Sequence, residues 1–147
     1  MKALSGYPQW FWLMLQDWHN RKDVENRSWK LPMHIWLPQR IYLHGSKHLE
    51  SSENLRSAMR LLTFVQVDIF SKVDWKQYQG TIMGEIDIID CSYRFPDENS
   101  NPYSAWHIPG QYGFKTANPK LYDKPIPMLG HLGFWEVNLP EGTNVHS

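Results

Sequence analysis

Three charged side chains lie within six residues of one another near the start of the chain: Lys22, Glu25 and Arg27. If this stretch is extended, Glu25 and Arg27 share one face, whereas Lys22 reaches Glu25 only through a turn. In a cleft, such a cluster can bind a phosphate through Lys22 and Arg27, read a base amine through Glu25, or use a desolvated lysine as a general base. The alternative is that these residues form a surface ion pair with no functional role, which would contribute little to the stability of the fold.

A second group of candidate residues is aromatic. The chain carries eight Trp, seven Tyr and six Phe in 147 residues, which is more than a core of this size needs. Aromatic rings stack on single-stranded or modified bases, at about 1–3 kcal/mol per base. The rings expected to stack lie beside the charged cluster, in a polar segment or in a Gly-containing strand: Trp29, Trp106, Tyr112 and Phe114. The rings expected to pack in the core or cover it lie on periodic elements: Trp10, Trp12, Trp18, Phe134 and Trp135.

The histidines and the single cysteine exclude several chemistries. The seven His form no HExxH motif, and Cys91 alone forms neither an internal disulfide nor a CxxC zinc site. No GxxxxGK[ST] or GxGxxG phosphate loop occurs. The sequence therefore predicts no metal and no cofactor, and one free cysteine fits a reducing compartment such as the cytoplasm.

The distribution of charge narrows the class of partner. The 15 Lys and Arg balance the 15 Asp and Glu, which argues against binding a long polyanion over the whole surface. Residues 1–49, however, carry seven bases and three acids, whereas residues 50–100 carry five bases and nine acids. This basic excess around the charged cluster indicates a small cleft for a nucleoside or a short single strand. No apolar run approaches the roughly 18 residues of a membrane span, so no membrane partner is expected.

The chain pattern predicts one α+β domain over residues 1–139, followed by a loose tail over residues 140–147. Helices are expected over residues 8–18 and 51–69, the second capped by Ser51 or Ser52. Among about six short strands, the clearest are residues 2–5, 40–45, 80–90, 111–116 and 131–137. Ile82, Gly84, Ile86 and Ile88 are expected to share one face, residues 97–109 to form a long loop, and residues 119–127 a Pro-rich crossing. Such short strands are typical of a small closed or partly closed barrel.

The order and spacing of several stretches resemble those of the ASCH domain family, part of the PUA-like superfamily. The most specific stretch is the family's GxKxxExR signature, which reads NRKDVENR at residues 20–27, with Asn20 in place of the leading Gly. Asn is the next best residue where positive φ follows a helix, so the backbone path is expected to be retained. The other matching stretches are residues 2–5 with 10–12, 42–47, 80–91, 110–114 and 125–135.

The resemblance implies a small PUA-like β-barrel of about six short strands with two or more flanking helices. It also implies a role with RNA, or with a modified base or nucleoside, in a cleft beside the signature. His44 matches a family position on a strand near that signature. With the aromatic candidates included, the predicted binding residues are Arg27, Trp29, His44, Lys47, Ser104, Trp106, Tyr112 and Phe114.

Other functions stay open. Some bacterial relatives in this family are amidohydrolases that act on N4-acylated cytidine with a Thr–Lys–Glu set. The lysine carries over to Lys22, but the threonine position holds Glu25, so the hydroxyl nucleophile is absent there and Glu25 with Lys22 would have to activate water. The candidates for a second acid are Glu85, Asp87, Asp97 and Glu98. A ribonuclease using Lys22 with His44 or Ser104, and a protein–protein adaptor using the aromatic surface, are the remaining hypotheses.

Overall fold

The computed structural model describes residues 1–97, 104–139 and 143, and within these ranges the chain has an α+β fold. The strands are β1 (Lys2–Gly6), β2 (Val24–Arg27), β3 (Gln39–Gly45), β4 (Thr81–Tyr93), β5 (Tyr112–Pro127) and β6 (Phe134–Glu136). The helices are α1 (Pro8–Met14), α2 (Ser52–Met59), α3 (Phe64–Ser71) and a 3-10 helix at Trp75–Gln77.

The six strands form one curled, mixed sheet in the order β2-β5-β4-β3-β1-β6. The β1–β3 pair is parallel and the other neighbouring pairs are antiparallel. Side chains connect β2 at one edge with β1 and β6 at the other. The Arg27 guanidinium of β2 donates to the Ser5 carbonyl of β1 at 2.8 Å, and the rings of Trp29 and Phe134 lie 5.9 Å apart. The sheet is therefore a half-barrel whose seam is crossed by side chains.

Helix α1 supplies much of the core. Pro8 occupies its first turn, where a missing N–H costs nothing. Phe11, Leu13 and Met14 are completely buried in the main core cluster, and burying each such side chain contributes about 1.5–3 kcal/mol. The close approach depends on Gly6, because a Cβ there would lie 2.6 Å from the Phe11 ring.

The single helix predicted over residues 51–69 is wrong: the segment forms two helices. Ser51 caps α2 as expected, but α2 ends at Met59. Thr63 then begins α3 with a capping box, its hydroxyl accepting from the Gln66 N–H while the Gln66 side chain accepts from the Thr63 N–H. Leu61 and Leu62 lie in the segment that connects α2 and α3, and they pack on the core. The helical spacing of apolar residues therefore continues through the connection, and the sequence pattern does not show where one helix ends and the next begins. The first predicted helix is also shorter, ending at Met14.

The Pro-rich crossing predicted before the last strand is also wrong, because β5 continues through it to Pro127. Pro119 and Pro125 lie where the β4–β5 register shifts, and there a ladder N–H is not required. A shift between Ile82 and Gly84 also divides the predicted common face of β4. Ile82 packs in a smaller cluster with Tyr122, whereas Ile86 packs in the main core.

Two predicted irregular segments fall partly beyond the described ranges. Of the loop at residues 97–109, residues 98–103 lie outside them, and of the tail at residues 140–147 only Thr143 lies within them. None of the helices in the described ranges is both long and apolar enough to cross a membrane.

Candidate functional site

A cleft of about 780 Å³ opens beside the seam between β2 and β1. Lys22, Glu25 and Arg27 contribute to one wall, so the three predicted charged residues meet at the same site. The rest of the lining comes from β1, α1, the segment that follows β3, the start of α2 and two later loops: Ser5, Gly6, Tyr7, Trp10, Phe11, Asn26, Ser46, His48, Glu50, Asn54, Ser57, Trp106, Ile108 and Leu132.

The local fold explains how the three charges converge. Pairing of β2 with β5 holds residues 24–27 extended, so Glu25 and Arg27 lie on one face as alternation requires. Lys22 precedes the strand, and its N–H bonds to the Leu13 carbonyl at 3.1 Å, which anchors the turn after α1. From there its side chain folds back along the strand, and Nζ donates to the Val24 carbonyl at 2.6 Å. The turn thus places lysine and carboxylate together.

Two cations share the Glu25 carboxylate. Lys22 Nζ donates to Oε1 at 3.3 Å, while Arg27 donates to Oε2 from Nε at 2.9 Å and from Nη2 at 2.7 Å. Lys22 and Glu25 are only 5% and 8% exposed. The cluster is therefore a buried ion network with one more positive than negative charge.

Burial and charge act on these groups in opposite directions. Burial lowers the pKa of the Lys22 ammonium below its ordinary value, although the Glu25 charge beside it acts to raise it. Burial alone would raise the pKa of Glu25, but the positive charges and hydrogen bonds of Arg27 and Lys22 outweigh it and hold that pKa below its usual range. Glu25 is thus held as a carboxylate.

The cluster retains hydrogen-bond donors that can serve a ligand. The two N–H groups on Arg27 Nη1 have no hydrogen-bond partner among the described residues, and Lys22 directs only two of its three N–H groups to such partners. Both Glu25 oxygens, in contrast, already accept from cations. The wall is therefore suited to bind a phosphate, carboxylate or carbonyl oxygen better than a base amine.

Two indoles also line the cleft. Lys22 Nζ lies 5.9 Å from the centroid of the Trp10 ring, and Trp10 Nε1 donates to Glu50 at 2.9 Å. Trp106 is only 8% exposed, and its Nε1 donates to the Asn20 carbonyl at 3.2 Å. Trp10 therefore makes a cation–π contact with Lys22, and the hydrogen bond to the Asn20 carbonyl holds the Trp106 ring in place.

The other predicted aromatic residues lie outside the cleft lining. Phe114 is completely buried, and Trp29 packs on it with ring centroids 5.6 Å apart. The Arg27 guanidinium carbon lies 5.7 Å from the centroid of the Trp29 ring, so Trp29 makes a cation–π contact with Arg27 without lining the cleft. Tyr112 packs against Tyr93 at 5.0 Å.

The remaining predicted polar residues, His44, Lys47 and Ser104, are also outside the lining. His44 is buried, and both of its ring nitrogens are engaged with protein atoms. Lys47 is exposed, and its carbonyl accepts from the Gln79 side chain. The Ser104 hydroxyl donates to Asp23 at 2.6 Å and accepts from the Trp106 N–H, so it positions the Trp106 loop.

None of the candidates for a second acid within the described ranges lines the cleft. Glu85 and Asp87 bind Arg40 on the β3–β4 pair, and Asp97 is exposed elsewhere. Glu98 lies outside the described residues. Among the residues that the structure describes, the acid that lines the cleft besides Glu25 is Glu50.

Sequence reasoning missed Trp10 and Glu50 as cleft residues. The helical spacing around Trp10 indicated a core position, and Glu50 belongs to no motif. The sequence did contain one indication of where Glu50 lies. Glu50 directly precedes Ser51, the predicted N-cap of α2, so its backbone was expected at the start of that helix.

Across residues 1–97, 104–139 and 143, no three His, Cys, Asp or Glu side chains are grouped so as to hold a metal ion. Comparison with protein-family models gave no match for this chain, and comparison with curated proteins also gave none.

Proposed function

We propose that this chain is an ASCH-type, PUA-like protein of the cytoplasm that binds a nucleoside or a short single-stranded RNA in the cleft. The observation that carries the proposal is the buried cluster in which Lys22 and Arg27 share one carboxylate and keep N–H donors for a ligand. Phosphate and base carbonyl oxygens are the nucleic-acid groups that such donors recognise.

The size and surroundings of the cleft support a small ligand. A volume of about 780 Å³ lies within the usual range for small-molecule sites. The indoles of Trp10 and Trp106, which both line the cleft, offer apolar contact to a base. Glu50, which also lines the cleft, balances the charge of the lining, and this favours one nucleotide over a long polyanion.

A hydrolase acting on an N4-acylated cytidine is the second candidate, and one observation favours it. Burial lowers the pKa of Lys22, which lies in the cleft beside Glu25, and a lysine of lowered pKa can act as a general base toward water. Incubation with N4-acetylcytidine would then release acetate, and the Lys22→Ala variant would release none.

The binding proposal is tested by a thermal-shift screen of modified nucleosides and short RNAs. A hit is expected to raise the melting temperature of the wild type, and this shift should be lost in Lys22→Ala and reduced in Trp106→Ala. Lys72→Ala is the matched control, because Lys72 forms an exposed pair with Asp68 on α3, away from the cleft lining. A shift that survives Lys22→Ala, or no shift with any of these ligands, would contradict the proposal.

A further inference from the structure

A serine and a histidine meet beside the cleft in an arrangement that the binding function does not use. Ser5 Oγ lies 3.1 Å from Nδ1 of His44, and His44 Nε2 lies 2.7 Å from the Met128 carbonyl oxygen. A carbonyl can only accept a hydrogen bond, so Nε2 carries the hydrogen and Nδ1 of the neutral ring is the acceptor. The Ser5 hydroxyl therefore donates its proton toward His44.

The surrounding structure holds this pair rigidly. Ser5 and His44 are direct partners in the register of the parallel β1–β3 pair, and the Trp135 indole donates to Ser5 Oγ at 3.2 Å. Gly130 packs over both, because a Cβ there would lie 2.6 Å from His44 Cε1 and 2.8 Å from Ser5 Oγ. Two strands, an indole and a close-packed backbone thus fix the hydroxyl and the base relative to each other.

The pair is also placed next to the cationic wall. Ser5 is part of the cleft lining, and its own carbonyl accepts from Arg27 Nη2 at 2.8 Å. The Nη1 group of the same guanidinium has no hydrogen-bond partner among the described residues, so it can hold a negatively charged oxygen near the serine.

We propose that Ser5 is a nucleophile activated by His44, with the Met128 carbonyl as the group that orients the imidazole, and that the cleft transfers acyl groups from carboxylic esters. A hydroxyl, a base in hydrogen-bond contact and a third group that orients the base are the elements of nucleophilic catalysis. The proposal goes beyond nucleoside binding and does not depend on it.

The chemistry balances with water as the second reactant. Ser5 Oγ attacks the ester carbonyl carbon while its proton passes to His44 Nδ1, and Arg27 Nη1 stabilises the resulting oxyanion. The bond to the alcohol oxygen breaks, the alcohol leaves with the proton from His44, and the acyl group remains on Ser5 Oγ. Water then attacks the acyl carbon, giving one proton to His44 Nδ1. The bond from the acyl carbon to Ser5 Oγ breaks, Oγ takes that proton back from His44, and the carboxylic acid leaves.

Labelling with a fluorophosphonate tests the proposal, because this probe forms a stable bond with activated serines. The phosphonyl mass is expected on the peptide that contains Ser5, and labelling should be lost in Ser5→Ala and fall at least tenfold in His44→Gln. Ser71→Ala is the control, because the Ser71 hydroxyl donates to Asp68 on α3, outside the cleft lining, and labelling should be unchanged. Denatured wild type should not be labelled.

A second variant keeps the proposal testable if His44→Gln does not fold. In Ser5→Cys, the introduced thiol, at hydrogen-bond distance from His44, should react with iodoacetamide at least tenfold faster than the native Cys91, which serves as the internal reference. Labelling of Ser5 no faster than that of other serines would overturn the proposal. Undiminished labelling in folded His44→Gln would also overturn it, as would an introduced thiol in Ser5→Cys that is no more reactive than Cys91.

Discussion

Two clusters in this molecule each combine three charged side chains but differ in their balance of charge. At the cleft, Lys22 and Arg27 share the single carboxylate of Glu25. On the β3–β4–β5 face, Arg40 serves two carboxylates, donating to Glu85 at 2.9 Å and to Asp87 at 3.1 Å. The first cluster has an excess of donors and the second an excess of acceptors.

The two clusters also differ in how their remaining groups are used. Arg40 Nη1 donates additionally to the Asn118 carbonyl, and the acceptors of the second cluster are met by Asn118 on Asp87 and Tyr122 on Glu85. That network joins three strands and is partly exposed, and of the polar groups of Arg40, Glu85 and Asp87 only Arg40 Nη2 has no hydrogen-bond partner among the described residues. The cleft cluster is more deeply buried and still keeps donors on Lys22 and Arg27. Spare donors in a deeply buried cluster with an excess of positive charge, and not the presence of charge alone, distinguish the candidate binding site from the partly exposed structural network.

Removing the shared carboxylate should have the largest effect on stability. Glu25→Gln leaves two cations without their counter-charge in a largely buried site, so we expect a loss of about 3–5 kcal/mol in the free energy of unfolding. Urea denaturation measures it. The matched variant Glu85→Gln lies in the more exposed network and should lose about 1 kcal/mol or less. Equal losses in the two variants would break the distinction between the clusters.

Removing the buried lysine should affect ligand binding far more than stability. Lys22→Met eliminates a desolvated charge and leaves Glu25 paired with Arg27, so urea denaturation should show little loss of stability. Binding of a nucleoside or short RNA should weaken at least tenfold, about 1.4 kcal/mol. A large loss of stability with unchanged affinity would assign the cleft cluster a structural role.

The acid sensitivity of folding should depend on the same carboxylate. The pKa of Glu25 is lowered in the folded state, so its stabilising contribution is fully present above its unfolded pKa of about 4.3 and is lost as pH falls through the folded pKa. Denaturation from pH 6 to pH 3 should show a shallower decline in Glu25→Gln than in the wild type. A decline of unchanged slope would mean that Glu25 titrates alike in the folded and unfolded states.

Disrupting the second network should have the smallest effect. Arg40→Met removes a partly exposed cation from two carboxylates, and we expect a loss of about 1 kcal/mol in the free energy of unfolding. Ligand affinity should remain within twofold of the wild type, as measured by fluorescence titration. A tenfold loss of affinity would place the binding site on the β3–β4–β5 face.

The sequence predicted what depends on neighbours along the chain. Strand alternation placed Glu25 and Arg27 on one face, and the caps placed Pro8 and Ser51 at helix starts. It did not predict that Lys22 folds back onto Glu25, because that depends on the turn after α1 and its bond to Leu13.

Features that depend on distant pairing were not accessible from local patterns. Because of the register shift beside Ile82, this side chain packs in a different core cluster from Ile86. An alternating apolar sequence does not show where such a shift occurs. The partnership of Trp10 with Glu50 joins residues 40 positions apart and arises from the packing of α1 beside the segment that follows β3. Trp10 therefore looked like a core residue when its helix was considered alone.

We propose that the cleft binds a nucleotide through Lys22, and a tryptophan-fluorescence titration tests this most directly. The ligands are cytidine 5′-monophosphate and an eight-nucleotide single-stranded RNA, each at low and high salt. Wild type and Arg40→Met should show saturable quenching, because Trp10 lies beside the cationic wall, and RNA affinity should fall as salt rises. Lys22→Met should show at least tenfold weaker binding of both ligands. Unchanged quenching in Lys22→Met, or no saturable quenching of the wild type by either ligand, would contradict the account.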